Sequence, residues 1–343
     1  MRLSRRRLNR TLLRRQHLLE LADLDPAAMV THLLGLQAQE PLPPYLSLHA
    51  RLTSFDPYDV SRGLEDGSWV RLGSLRGTLH LHPVADARAL RPWLQPALEK
   101  QMAGRVPASH EKVAAVVDEA LADGPVEHRR LGELLASRLP GTPAELAVVA
   151  RTIVPLVQLP PRGAWKGSGG IVWELLERRA GGPVDVDGWP VEEVVRRYLR
   201  AFGPATASDL AAWSTVTRLR PVLLAMDDLV RHEDEEGKVL FDIADGVVED
   251  EDVPAPVRLL STYDNLWLSH AARDRVTEAG TRGNWMGANG GVACTVFVDG
   301  WLAGLWRIED DRARVVQLFR DLTPVEQDDL DDELARVDAL LAR

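Results

Sequence analysis

The sequence contains one cysteine, Cys294, which excludes an internal disulfide framework and a zinc site built on cysteines. It also has no apolar run of the roughly 20 residues that a membrane-spanning helix needs. The first residues lack the apolar stretch of a signal peptide. These absences favour a cytoplasmic protein that has no membrane segment. No third ligand accompanies the closely spaced His80 and His82, so neither a metal nor a cofactor is expected.

Charge is distributed very unevenly along the chain. The formal net charge is −10, yet residues 1–15 carry seven arginines and no acidic residue. Acidic residues concentrate at 232–253 and 328–334, and such runs are expected to be solvated loops and chain ends. The distribution of charge matters more than its sum. The N-terminal arginines, Arg6 and Arg10 among them, are therefore predicted to contact DNA phosphates.

Helices followed by paired strands recur three times along the 343 residues. This pattern predicts an α+β protein with units at 1–105, 106–185 and 186–343, and helices followed by a hairpin are typical of the winged helix-turn-helix. Asp25 and Pro26 mark a helix start, and Gly35 marks its end. The predicted helices are 8–21, 25–34, 41–52, 56–66, 84–102, 110–123, 127–139, 143–157, 191–202, 208–214 and 218–229.

The predicted strands close each unit as a wing. They lie at 69–76 and 77–83 in the first unit, within the glycine-rich stretch 159–176 in the second, and at 239–245 and 294–308 in the third. The dipeptide Asp299-Gly300 is the strongest hairpin signal in the chain. We expect at least one of Trp301 and Trp306 to lie in the core, whereas Trp285, in the glycine-rich segment 281–291, is expected to be exposed or mobile.

Five segments of the chain form a recognisable set. They are GLQAQE (35–40), RGTLHLHP (76–83), RAFGPATASDLAAWS (200–214), LLSTYDNLWLSHAARDRV (259–276) and TVFVDGWLAGLWRI (295–308). Together, and in this order, they resemble the winged-helix crosslink-repair glycosylases, the AlkZ-like family. The resemblance implies three tandem winged helices that form a concave DNA-binding surface. It also implies hydrolysis of the N-glycosidic bond of N7-alkylguanine, unhooking of interstrand crosslinks and self-resistance to a DNA-alkylating antibiotic.

The family's catalytic signature, two glutamines flanking an apolar residue, falls on Gln37, Ala38 and Gln39. A guanine alkylated at N7 is already cationic and leaves without protonation, so water must only be held near the sugar C1′. A glutamine carbonyl can accept a hydrogen bond from that water and direct its dipole at growing positive charge. Because Gly35 stops the preceding helix and Pro41 disfavours another, we expect an extended segment with both amides on one side.

Other residues near this motif are candidates for DNA contact. His80 and His82 alternate on a predicted strand and should face the same side. Arg76 precedes them and can reach a phosphate. The alternative is an ordinary strand face for the two histidines and a structural hydrogen bond for Arg76. The expected partner is double-stranded DNA that carries N7-alkylguanine or crosslinks, bound by a monomer.

Three other functions are compatible with the pattern. A winged-helix transcription regulator without catalysis would bind one operator and release no base. A protein-interaction scaffold would show no salt-dependent DNA affinity. A glycosylase could also act on simple N7-methylguanine and not on crosslinks.

Overall fold

The structure, a computed structural model, describes residues 1–184, 188–278, 281–287 and 293–343. The predicted boundary at 185/186 and residues 288–291 of the glycine-rich segment lie outside the described residues. Helices and sheets are mixed throughout the rest, which confirms the α+β class.

The N-terminal third contains five helices and three strands. Asp25 accepts a hydrogen bond from the backbone N–H of Ala28 at 2.9 Å and so starts the second helix as predicted. The long fifth helix is continuous despite Pro92 and Pro96. The elements are α1 (Arg5–Arg15), α2 (Pro26–His32), β1 (Leu36–Gln37), α3 (Pro43–His49), α4 (Pro57–Asp66), β2 (Trp69–Gly73), β3 (Leu79–Pro83) and α5 (Val84–Met102).

The middle of the chain follows the predicted order of three helices and a wing. A short strand precedes the second of these helices, and a short helix follows the wing. The elements are α6 (His110–Ala120), β4 (Val126–Glu127), α7 (His128–Arg138), α8 (Pro143–Ile153), β5 (Leu156–Gln158), β6 (Val172–Leu175) and α9 (Leu176–Arg179).

The C-terminal part begins with three helices and continues with two antiparallel sheets. Asp299 and Gly300 have φ of 47° and 77°, the left-handed values that a tight hairpin turn needs. The elements are α10 (Val191–Phe202), α11 (Ala207–Ser214), α12 (Arg220–Ala225), β7 (Leu229–Glu233), β8 (Val239–Ile243), β9 (Arg258–Leu260), α13 (Asn265–Leu268), α14 (Arg282–Trp285), β10 (Thr295–Val298), β11 (Trp301–Glu309), β12 (Arg312–Leu318) and α15 (Pro324–Leu341).

One prediction for this part holds only in part and another is wrong. The four aspartates of the acidic run 328–334 are exposed as expected, but the run forms part of α15 and not a loop or end, and Glu333 is buried. Trp285 is not exposed, because its ring stacks on Trp267 with centroids 4.1 Å apart and only 3% of the residue is exposed. Trp306 is buried, as expected for at least one of the hairpin tryptophans.

The strands form three sheets. A six-stranded sheet has the order β1-β3-β2-β5-β6-β4, and the pairing of Leu72 with Val157 joins the first two wings into it. A four-stranded sheet has the order β12-β11-β10-β9, and β7 pairs with β8 alone. None of the described helices has the length and the apolar content needed to cross a bilayer.

One large hydrophobic core unites the two ends of the chain. It draws buried side chains from residues 12–98 and 194–341 and also includes Trp165. The buried side chains of a second core come from residues 102–173 and from Leu79. The first and third predicted units therefore share an interior, and β1 lies within that shared part.

Candidate active site

The two glutamines follow a sharp reversal of the chain. Leu34 and Gly35 adopt left-handed backbone conformations, with φ of 58° and 104°, after the end of α2. They turn the chain into β1, where Leu36 and Gln37 pair with Leu81 and His80 of β3. The backbone N–H of Ala38 continues this pairing by donating to the Leu79 carbonyl at 2.7 Å. The structure thus confirms the extended conformation predicted for this segment.

The two amides differ in exposure. Gln37 is only 7% exposed, whereas Gln39 lies at the surface. The carbonyl oxygen Oε1 of Gln39 faces the backbone N–H of Leu79 at 3.4 Å. The pair therefore spans the boundary between the interior and solvent, which is where a group must lie to touch both a bound nucleotide and the protein that orients it.

Arg76 fixes the amide of Gln37. Its guanidinium donates to Gln37 Oε1 at 2.8 Å and to the Trp213 carbonyl at 2.7 Å. Because a guanidinium has only donors, the oxygen of Gln37 must face Arg76 and the NH₂ group must face away. The carbonyl oxygen keeps a second lone pair for another donor, such as water. Burial lowers the pKa of Arg76 to about 10, so it stays charged at neutral pH.

His80 contacts the guanidinium of Arg76 as a hydrogen-bond acceptor. Its Nδ1 lies 3.0 Å from the Thr78 carbonyl, an acceptor, so Nδ1 carries the proton. Its Nε2 is then an acceptor for the guanidinium of Arg76 at 3.2 Å. Burial, and then the charge of Arg76, hold the pKa of His80 well below its usual value. His80 is therefore a neutral acceptor and cannot donate a proton to a leaving base at neutral pH.

His82 packs against the bend that precedes β1. Its Nε2 lies 3.0 Å from Ser74 Oγ, and burial lowers its pKa to about 3. A Cβ atom added to Gly35 would lie 2.3 Å from His82 Cε1. The bend before β1 and the imidazole of His82 consequently fit together only because residue 35 is glycine.

A further arginine, Arg71 on β2, anchors the peptide between the two glutamines. Its guanidinium donates to the Ala38 carbonyl at 2.6 Å and to the Arg162 carbonyl at 3.1 Å. Sequence reasoning missed this residue. The only available signal was an arginine in an otherwise apolar strand, WVRLG, which predicts either a solvent-facing side chain or a buried one with a specific partner.

Only some of the residues predicted to contact DNA lie where DNA can reach them. Arg10 is fully buried, with Asp299 and the Val253 carbonyl as partners, so its predicted phosphate contact is wrong. His80 and His82 are each 1% exposed, so direct contact of either with DNA is also wrong. Arg6 keeps 42% of its side chain exposed while it pairs with Asp299. Contacts of Arg6 and Arg76 with phosphate stay predictions.

Most N-terminal arginines face the acidic segment 232–253 and not open solvent. Arg15 pairs with buried Asp242 at 2.7 Å, and Arg7 approaches Asp250 at 3.7 Å. Arg6 donates to the Glu251 carbonyl at 2.8 Å. The two oppositely charged segments thus neutralise each other within the fold, which explains why the basic run is a poor guide to the DNA surface.

Comparisons with known proteins identify the family of this chain. The model of the family described as "DNA glycosylase AlkZ-like" matches residues 30–340. An interstrand DNA cross-link repair glycosylase of Streptomyces sahachiroi is 26% identical over 336 residues, which cover 90% of this chain and 89% of that protein. The solved structure of the DNA glycosylase AlkZ of Streptomyces sahachiroi, at 22% identity, covers 100% of this chain and 98% of its own with a TM-score of 0.79.

The class of protein is therefore a DNA glycosylase, an enzyme that hydrolyses N-glycosidic bonds of DNA. This chain belongs to the AlkZ-like DNA glycosylase family. The likeness to the solved structure extends over the whole chain. The match to the family includes both glutamines and all six strands of the sheet that contains β1, whereas α1 lies outside it.

Proposed function

We propose that this enzyme excises cationic N7-alkylated guanine, including guanine held in interstrand crosslinks, and that Gln37 and Gln39 act on the reacting nucleotide. One observation carries the proposal. Arg76 holds the amide of Gln37 in one orientation, and a second glutamine, Gln39, lies two residues further on at the surface. The crosslink substrate is supported by the name of the Streptomyces sahachiroi relative.

The chemistry suits a base that leaves without an acid. Departure of the cationic base neutralises it and transfers positive charge to the sugar, where oxocarbenium character develops at C1′. The carbonyl oxygens of the two glutamines can accept hydrogen bonds from water and stabilise that charge through their dipoles. His80, the imidazole nearest to this pair in the hydrogen-bond network, is neutral and buried. Because none of these groups can protonate a leaving base, we expect the enzyme to act only on cationic lesions.

We further propose that the chain is built from three winged helix-turn-helix units at 1–105, 106–185 and 186–343, which together form a concave DNA surface. The order of the described elements supports this in each part. Helices precede β2–β3, then β5–β6, then β7–β8. An open surface suits a crosslinked guanine, because its tether to the other strand prevents free rotation into a closed pocket. Self-resistance to a DNA-alkylating antibiotic is the corresponding biological role.

The test compares wild type with the Gln37→Ala/Gln39→Ala variant on three duplexes that contain N7-methylguanine, an interstrand crosslink or hypoxanthine. Released base and abasic sites are measured under single-turnover conditions. We expect wild type to act on the first two duplexes only, and the double variant to be slower by about 100-fold or more. Gln327→Ala, on the exposed face of α15, is the matched control and should behave as wild type.

Each alternative gives a distinct result. Equal rates for wild type and the double variant would remove the glutamines from the mechanism. Release of hypoxanthine would contradict the restriction to cationic bases. Absence of release from both alkylated duplexes would contradict the proposed substrate.

A further inference from the structure

Two carbonyls of the bend before β1 are bonded by a side chain from a distant part of the chain. Asn265, the first residue of α13, donates from Nδ2 to the Leu33 carbonyl at 3.2 Å and to the Gly35 carbonyl at 3.0 Å. Because both partners are acceptors only, the NH₂ end of the amide must face them. One side chain thus holds the backbone on both sides of Leu34.

The bend has a conformation that needs such support. Leu34 has a left-handed φ of 58°, which is unfavourable for a residue other than glycine. Leu33, Leu34 and Gly35 are buried, so their carbonyls depend on partners within the protein. Within the described part of the chain, β1 is an edge strand, so only one side of its backbone pairs with another strand. The two hydrogen bonds of Asn265 therefore stabilise the bend where the sheet cannot.

The amide of Asn265 is itself held in place. The residue is 6% exposed. Its neighbour Asp264 accepts hydrogen bonds from the guanidinium of Arg51 at 2.7 and 2.8 Å, and one from the backbone N–H of Leu266 at 2.9 Å. Both side chains of the Arg51–Asp264 pair are fully buried. Because this doubly bonded ion pair restricts the start of α13, Asn265 contacts the bend from a fixed position.

The direction of the bend determines where Gln37 lies. Gln37 follows Gly35 by two residues, and two residues of extended chain span at most about 7 Å. A change of direction at Gly35 would therefore move the amide of Gln37 relative to Arg76 and to a bound nucleotide. Misplacement of a reacting group by about 1 Å can slow a reaction about 100-fold.

We propose that Asn265 is a positioning residue of this glycosylase, which fixes the bend before β1 and thereby the place of Gln37. The inference rests on the proposed function, because it takes Gln37 as a group that acts on the nucleotide. A merely structural role for Asn265 would lower the stability of the protein and leave the chemical step of the folded enzyme unchanged.

Asn9 provides a matched control, because its amide makes the same kind of bridge elsewhere. It is fully buried in α1, and its Nδ2 donates to the carbonyls of Arg275 and Gly300, each at 2.7 Å. Neither carbonyl belongs to the sheet that contains β1. Removal of the Asn9 amide should thus destabilise the protein as removal of the Asn265 amide does, but without moving the glutamine strand.

The experiment compares wild type with Asn265→Ala, Asn9→Ala, Gln37→Ala and the Asn265→Ala/Gln37→Ala double variant. The substrate is a duplex with a single N7-methylguanine. The urea midpoint of unfolding and the maximal single-turnover rate at saturating enzyme are measured for each protein. Asn265→Ser, which keeps one donor, replaces Asn265→Ala if thermal melting shows that the alanine variant does not fold.

Both asparagine variants should have lower urea midpoints than wild type. Asn265→Ala should also lower the maximal rate by about tenfold or more, whereas Asn9→Ala should stay within about twofold of wild type. The double variant should be slower than Gln37→Ala by no more than about twofold, because the amide that Asn265 positions is then absent.

Three results would overturn the positioning role and leave the proposed function standing: an unchanged rate in Asn265→Ala, an equal loss of rate in Asn9→Ala, or losses that multiply in the double variant. A wild-type rate in Gln37→Ala, or failure of wild type to release N7-methylguanine, would contradict the proposed function itself and the positioning role with it.

Discussion

Arg76 is the residue that connects the first and third parts of the chain at the candidate site. It orients Gln37 and also binds the carbonyl of Trp213, at the end of α11. Two roles are open to such an arginine, positioning of the amide and neutralisation of a phosphate, and they affect different measurements. A positioning role changes the rate of the chemical step, whereas a phosphate contact changes the dependence of affinity on salt.

We expect Arg76→Ala to lower the maximal single-turnover rate by about 10- to 100-fold, as the loss of a charge-assisted hydrogen bond predicts. Arg76→Lys should restore part of this loss, because it keeps a charged donor. If Arg76 acts by positioning alone, the slope of DNA affinity against salt stays as in wild type for both variants. A slope reduced by about one would instead identify Arg76 as a phosphate contact. Arg6→Ala, at a half-exposed arginine remote from Gln37 in the hydrogen-bond network, is the comparison.

For single residues, the sequence predicted which side chains belong to the site better than it predicted their hydrogen-bond and ion-pair partners. Strand alternation correctly predicted that His80 and His82 face the same side. It did not predict that Gln37 meets Arg76 and His80, which results from the pairing of β1 with β3. The burial of Arg76 was not predictable, because its guanidinium contacts Trp213 of α11, which lies far along the chain. The assignment of Arg10 failed for the same reason, since its partner Asp299 belongs to a distant hairpin turn.

At the scale of elements, the bend between α2 and β1 places the glutamine strand. Gly35 has a left-handed φ of 104°, and its missing side chain leaves space for His82. Gly124 also has a positive φ, 136°, but nothing lies within 4 Å of a Cβ added there. The two positions separate the effect of backbone strain from that of a steric clash.

Gly35→Ala should therefore lower the free energy of unfolding by about 3 kcal/mol, from strain and from displacement of the imidazole. Gly124→Ala should lower it by about 1 kcal/mol, from strain alone. Urea unfolding followed by circular dichroism measures both values. Equal losses in the two variants would show that the contact between residue 35 and His82 does not constrain the bend.

Most elements with strong local signals were predicted well, but α15 is an exception. The turn at Asp299 and Gly300 was found because its two positive φ values demand particular residues. The helix predicted over 218–229 ends at Ala225, and β7 begins at Leu229. The helix α15 was missed although Thr323 and Glu326 form a reciprocal N-terminal cap and Pro324 occupies the first turn. The acidic residues that follow hid this signal.

For the whole molecule, long-range pairing determines what local patterns cannot. The joining of the first two wings into one sheet depends on the contact of Leu72 with Val157. The shared core of the first and third parts encloses the ion pairs Arg15–Asp242 and Arg51–Asp264, whose side chains are at most 4% exposed. Such pairings connect residues far apart in sequence, and no local propensity encodes them.

The burial of several histidine side chains makes the stability of the whole molecule dependent on pH. Burial lowers the pKa of His17 and of His49 to about 4, and that of His82 to about 3. An unfolded histidine has its ordinary pKa near 6.5. Between pH 6.5 and about 4, the unfolded chain thus binds protons at these positions that the folded chain does not bind. The folded state should therefore lose stability as the pH falls through this range.

Each such histidine can contribute up to about 1.4 kcal/mol per pH unit, and the lowered pKa values of His80 and His270 act in the same direction. Asp209, with its pKa near 2, can add to the loss only at lower pH, because a carboxylate with a lowered pKa loses its stabilising effect below about pH 4. Urea unfolding at pH 7, 6 and 5 should show a decreasing free energy of unfolding, and His17→Gln should make the decrease shallower. A free energy that stays constant or rises from pH 7 to pH 5 would mean that these imidazoles are open to protonation in the folded protein.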